Sequence, residues 1–122
     1  MKGLSAVYNP FRRMTSGYYG GLEGIMHLQM RGDDLYPTRG EEPYIWEYLS
    51  FVNTTNTKDL SWGNIYEGIQ MANEFIYRAA TVDMDETKRE QMIGEAYFLR
   101  GFWYFRLRTD YRDAVIRTLP QD

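Results

Sequence analysis

Cysteine is absent from all 122 residues. That excludes disulfides, thiol nucleophiles and cysteine-ligated zinc. No apolar run approaches the ~20 residues of a membrane-spanning helix. The opening Met1-Lys2-Gly3-Leu4 runs into Ser5-Ala6-Val7 without an apolar core region, so no signal peptide is expected in this stretch. A basic excess is also missing. Lys and Arg number 14 against 17 Asp and Glu, a net charge of −3, which argues against a general nucleic-acid binder. The densest basic spot, Arg106 and Arg108 with Arg112, is interleaved with Phe105, Leu107 and Tyr111 and reads as the wet edge of a helix. Histidine occurs once, as His27 on a mostly apolar stretch, where a satisfied or partly exposed ring is the expectation. No nucleophile–base pair, metal set or Gly-rich phosphate loop is visible, so enzyme chemistry, a metal site and a cofactor are all unexpected.

The residues that are present describe a folded chain. Apolar residues at 43% and charged residues at 25% fit a globular protein, and the length suits a single domain over 1–122. The unusual figure is 16% aromatic, with 11 Tyr, 6 Phe and 3 Trp. Rings with an apolar body and a polar tip serve either wide helix-packing faces or surfaces that stack on ligands.

Periodicity is clearest in the second half. Asp59 is placed to cap a helix beginning near Leu60. Trp62, Ile65, Tyr66, Ile69, Ala72 or Asn73, and Ile76 then recur at spacings of three and four, one apolar helix face. Trp62 and Tyr66 on that face are expected in the core, as is Trp103. Asn73, on or beside the face, is expected to satisfy a backbone group. A break at Thr81–Met84 precedes Asp85, a second N-cap, with Glu86 favourably placed at the helix dipole. The second helix is expected from about Glu86 to about Thr109. Its apolar residues cover most of its circumference (Met92, Ile93, Ala96, Tyr97, Leu99, Phe102, Trp103, Phe105, Leu107), which predicts burial on most sides, against neighbours that include some beyond Asp122. A short link implies antiparallel packing, with Gly94 and Gly101 expected at the close approaches. The pair is similar to one tetratricopeptide-type unit.

In the first half, helices are expected over Leu4 to Met14, limited by Pro10, and over Gly17 to Met30. Residues 31–60 show no helical period and are punctuated by Pro37, Gly40 and Pro43. A segment of this length without regular structure is usually functional. The predicted architecture is all-α: N-terminal helices over 1–30, a long irregular loop over 31–60, and a tetratricopeptide-like antiparallel helix pair over 61–109.

Several strings carry a family resemblance. Trp62-Gly63-Asn64-Ile65-Tyr66-Glu67-Gly68-Ile69-Gln70-Met71-Ala72-Asn73 resembles the W-x-x-x-Y-x-x-I-x-x-A-N helix of the SusD/RagB family. Gly94-Glu95-Ala96-Tyr97-Phe98-Leu99-Arg100-Gly101, continued by Phe102-Trp103-Tyr104-Phe105, is similar to that family's G-E-A-x-F-L-R-A-x-x-Y-F helix. Tyr19-Gly20-Gly21-Leu22 followed by Gly32-Asp33-Asp34 resembles its early helix and acidic turn, and Pro37-Thr38-Arg39-Gly40 its P-T-R-G loop. The order is the family's and the matches cover nearly the whole chain. After the second helix the family reads Y-G-D-V-P, whereas this chain has Tyr111-Arg112-Asp113-Ala114-Val115. Family members are several times this long, so the resemblance implies an N-terminal portion. It also implies a mostly helical surface lipoprotein of a Bacteroidetes-type outer membrane, held there by a lipid anchor outside this chain. Such a protein binds oligosaccharides, or in some members peptides, without chemistry and partners a TonB-dependent porin of the SusC type.

Sugar recognition needs flat aromatic faces for the ring and planar donors and acceptors for hydroxyls. The 31–60 segment offers Arg39, Tyr44, Trp46, Tyr48 and Asn53. The resemblance carries over Arg39, of the P-T-R-G loop, and Trp46. Tyr44, Trp46 and Tyr48 share a face if that segment is extended. The ligand-binding set is therefore Arg39, Trp46, Tyr44 and Asn53, with packing of Trp46 onto the helices as the other reading. The acidic residues Asp33, Asp34, Glu41 and Glu42 lack the arrangement of a hydrolase pair or a calcium loop. A helical-repeat module that binds a protein and has no sugar site is the competing function.

Overall fold

The computed structural model describes residues 3–12, 32 and 62–121. The chain divides into two compact units, one formed by Met1–Pro10 with Trp62–Asp122 and the other by Phe11–Ser61. The regular elements among the described residues of the first unit are all helical, with no strand. A 3₁₀ turn spans Leu4–Ala6 and a short helix α1 spans Asn9–Arg12, with Pro10 in its first turn, where the missing N–H costs no helical bond. Two long helices follow: α2, Trp62–Ala79, and α3, Glu86–Tyr111, packed antiparallel. The expected cap at Asp59 and the helix expected over Gly17 to Met30 lie outside the described residues.

The turn between α2 and α3 forms for identifiable reasons. Thr81 donates its N–H and its hydroxyl to the Arg78 carbonyl (3.2 and 3.1 Å), capping the end of α2. Asp85 accepts a bond from the Lys88 N–H at 3.0 Å, as its position predicts. Arg89 reaches back one turn and donates to the carbonyls of Val82 (3.0 Å) and Met84 (3.1 Å), fixing the link to the helix that follows.

The core is a narrow seam. α2 contributes Ile65, Gly68, Ile69, Ala72, Phe75 and Ala79, and α3 contributes Ala96, Leu99, Trp103 and Leu107. Val7 and Pro10 bring the N-terminal segment into this unit as buried side chains. Trp103 is completely buried, as expected. Among the described residues α3 buries one stripe and leaves Tyr97, Phe98 and Phe105 49%, 71% and 64% exposed, the surface for which neighbours beyond Asp122 are expected. One expectation about packing is corrected. The close approach is at Gly68, not at Gly94 or Gly101. A Cβ on Gly68 would lie 2.3 Å from Trp103 Nε1 and 2.4 Å from Cε2, whereas nothing lies within 4 Å of one on Gly94 or Gly101. The indole comes close enough to the α2 backbone at Gly68 that only hydrogen fits between them.

Candidate functional site

Arg39, Tyr44, Trp46 and Asn53 all fall in the second unit and lie outside the described residues, as do His27 and the acidic residues of the same region. Within the first unit, the expectation that Trp62 and Tyr66 are core is corrected. Trp62 is 37% exposed and packs at a tilt against Tyr66 (centroids 5.0 Å apart) and edge-on against Tyr111 (4.9 Å). Tyr66 is half-buried, and its hydroxyl has other work.

That work is a polar clasp on the segment after α3. Residues 113–121 run without regular structure along the helix pair. Tyr66 Oη accepts from the Val115 N–H (3.0 Å) and donates to the Val115 carbonyl (3.1 Å). Tyr104 Oη holds Arg117 in the same way, accepting from its N–H and donating to its carbonyl at 2.7 Å. Gln70 exchanges two 3.2 Å bonds with the Gln121 backbone. Asn73 Nδ2 donates to the carbonyls of Arg117 (3.0 Å) and Leu119 (3.3 Å). Arg100 donates to Asn73 Oδ1 (2.8 Å) and to the Thr118 carbonyl (3.2 Å). Residues 115, 117, 119 and 121 are gripped in turn, the period of an extended chain.

The residues of the clasp are spaced for this task. Tyr66, Gln70 and Asn73 stand at i, i+4 and i+7 on α2, and Arg100 and Tyr104 at i and i+4 on α3, so each set lines one edge of its helix. Each gripping group contacts main chain, while Val115, Ile116 and Leu119 keep their side chains 59%, 68% and 68% exposed. The helix pair thus holds an extended backbone largely irrespective of its sequence. Asn73, 1% exposed, is the keystone, since it bonds the tail with its nitrogen and orients Arg100 with its oxygen. The sequence pointed to Asn73 as a backbone partner. Tyr66, Arg100 and Tyr104 are fixed letters of the two family helix patterns and Gln70 is not, but neither those patterns nor the spacing indicates their partners, which lie far away in the chain.

A second feature is a cleft of about 290 Å³ between the N-terminal segment and α2, lined by Ala6, Val7, Met71 and Phe75 with Gln70, Glu74 and Arg78. Glu74 and Arg78 are ion-paired at 2.6 Å. Beside it, Tyr8 donates to Glu95 Oε1. This bond, then desolvation and the carboxylate's charge, raises the Tyr8 pKa, so the bond persists throughout the neutral range and is lost only well into alkali. The cleft carries no convergent set of catalytic groups, and no group of three His, Cys, Asp or Glu able to hold a metal exists among the described residues. None of the described helices is long and apolar enough to cross a membrane.

No curated protein and no solved structure matches the chain. A family profile does, over residues 29–122, and it is described as SusD-like, "Starch-binding associating with outer membrane". The matched stretch takes in the Pro37-Thr38-Arg39-Gly40 loop, both long helices and the clasped tail, and by that match the chain belongs to the SusD-like family.

Proposed function

We propose that this chain is a non-catalytic binder of glycan nutrients at the outer membrane, working beside a TonB-dependent porin that imports what it captures. The single observation that carries this reading is the family match over 29–122, which includes the Arg39–Asn53 segment as well as the helix pair. In it, Trp46 and Tyr44 supply ring faces that stack on the apolar side of a sugar. Arg39 donates a fixed fork of N–H groups to hydroxyls, and Asn53 offers one donor and one acceptor face. The helix pair is the scaffold, and a lipid anchor outside these residues would hold the protein at the surface.

The test is binding to a panel of plant and bacterial polysaccharides by affinity electrophoresis and calorimetry. Trp46→Ala and Arg39→Ala are each expected to weaken binding by about ten-fold or more, on the scale of losing one stacked ring or one charged hydrogen-bond donor. Thermal stability should change little. Unchanged affinity in both variants would remove these residues from the site. The second reading, a helical module that binds protein and no sugar, draws on the clasp, which already holds an extended backbone. It would be favoured if no glycan bound and the porin were still captured.

A further inference from the structure

The chain leaves α3 through a conformation that its own residues disfavour. Among the described residues other than glycine, only Arg112 has a positive φ, 67° with ψ −62°, which L side chains rarely adopt. The Asp113 N–H closes on the Tyr111 carbonyl at 2.8 Å, the rare and strained form of the three-residue turn. A glycine at its centre would adopt that φ without cost, and a proline just beyond it would fix the next stretch of backbone. Position 112 is arginine, and residues 113–119 contain no proline. Local preference therefore does not make this turn.

Two neighbours make it instead, one on each long helix, and each grips a residue by both main-chain groups. Arg112 gives its N–H to the Arg108 carbonyl at 3.0 Å, and its own carbonyl accepts from the Arg108 guanidinium. Val115 gives its N–H to Tyr66 Oη at 3.0 Å, and its carbonyl accepts from the same hydroxyl at 3.1 Å. A residue tied at N–H and carbonyl cannot turn about φ or ψ without breaking one of the two bonds. The strain of a non-glycine residue in this region is comparable with the net worth of one or two such bonds. The grip and the strain therefore oppose each other at similar strength. We propose that residues 111–115 form a sprung turn. In it Tyr66 and Arg108 are positioning residues that fix the direction in which the main chain leaves the helix pair, and Arg112 supplies the force that reopens it when either lets go.

The test is amide hydrogen exchange of the intact chain, read residue by residue. Tyr66→Phe keeps the ring and removes the hydroxyl, and Arg108→Met keeps the helix and removes the guanidinium. Each is expected to speed exchange at Asp113, Val115 and Arg117 by about ten-fold, the scale of one or two lost hydrogen bonds. The amides of Ala72 and Trp103, inside the helices, should keep their rates, which shows that the turn opens on a folded helix pair. Arg112→Gly removes the spring and should slow exchange at the same three amides by roughly five-fold, strain relief exceeding the added freedom of glycine. Combined with Tyr66→Phe, it should bring the rates back close to those of the unaltered chain. That recovery distinguishes a strained turn from one that is merely hydrogen-bonded. Faster or unchanged exchange in Arg112→Gly would overturn the proposal. So would Tyr66→Phe and Arg108→Met chains whose three amides exchange no faster, or only together with Ala72 and Trp103.

Discussion

Gly68 and Gly101 face in different directions, and a methyl group added to each should act with opposite sign. At Gly68 it would enter the indole of Trp103, which is fully buried and cannot swing away. Gly68→Ala is expected to lower stability by about 1–3 kcal/mol through overpacking, despite the ~1 kcal/mol that alanine gains over glycine in a helix interior. Gly101→Ala meets nothing within 4 Å and should raise stability by about 0.5–1 kcal/mol. Urea unfolding of the two variants at high dilution checks the contrast. A second single-residue case is Arg112, at φ 67° and ψ −62°, where the Asp113 N–H closes back on the Tyr111 carbonyl at 2.8 Å. This is the strained form of the three-residue turn, in the region of φ that favours glycine. It falls where the family reads Y-G-D, with glycine in the arginine's place. Arg112→Gly should therefore stabilise the chain by about 1 kcal/mol, the relieved strain of 1–3 kcal/mol exceeding the entropic cost of glycine. A lowered urea midpoint would contradict this.

Among the elements, the helix pair was legible from sequence and the tail was not. The caps and the three-and-four spacing act over a few residues, so Asp85, the break at Thr81–Met84 and the stripe Ile65, Ile69, Ala72 could be read directly. Aromatic content around α3 says how much apolar surface exists, not where its neighbours lie, and Phe98 and Phe105 stay exposed among the described residues. The close approach was misplaced for a related reason. Four glycines on two helices look alike in sequence, and only the position of Trp103 picks out Gly68. The tail was invisible because its partners lie 13 to 51 positions away. The residues of the proposed sugar site lie outside the described residues, so their legibility rests on the family pattern alone. The clasp predicts a distinct behaviour for the tail. Asn73→Ala removes two donors to it and the acceptor for Arg100, leaving a buried edge unpaired. We expect a loss of about 1–3 kcal/mol, with hydrogen exchange of the Val115, Arg117 and Gln121 amides rising together. Asn73→Asp keeps the acceptor for Arg100 but sets a carboxylate against two carbonyls, so it should free the tail at least as fully. Protection that survived both changes would show that Tyr66, Tyr104 and Gln70 hold the tail by themselves.

For the whole molecule, the proposed sugar residues and the clasped tail fall in different units, Arg39, Tyr44, Trp46 and Asn53 in one and Asn73 with Val115, Arg117 and Gln121 in the other. Trp46→Ala should weaken glycan binding and leave the tail amides protected, whereas Asn73→Ala should free the tail and leave the glycan affinity unchanged. Calorimetry and hydrogen exchange on both variants separate these outcomes, and an Asn73→Ala chain that lost glycan affinity would mean that the clasp and the sugar residues are not independent.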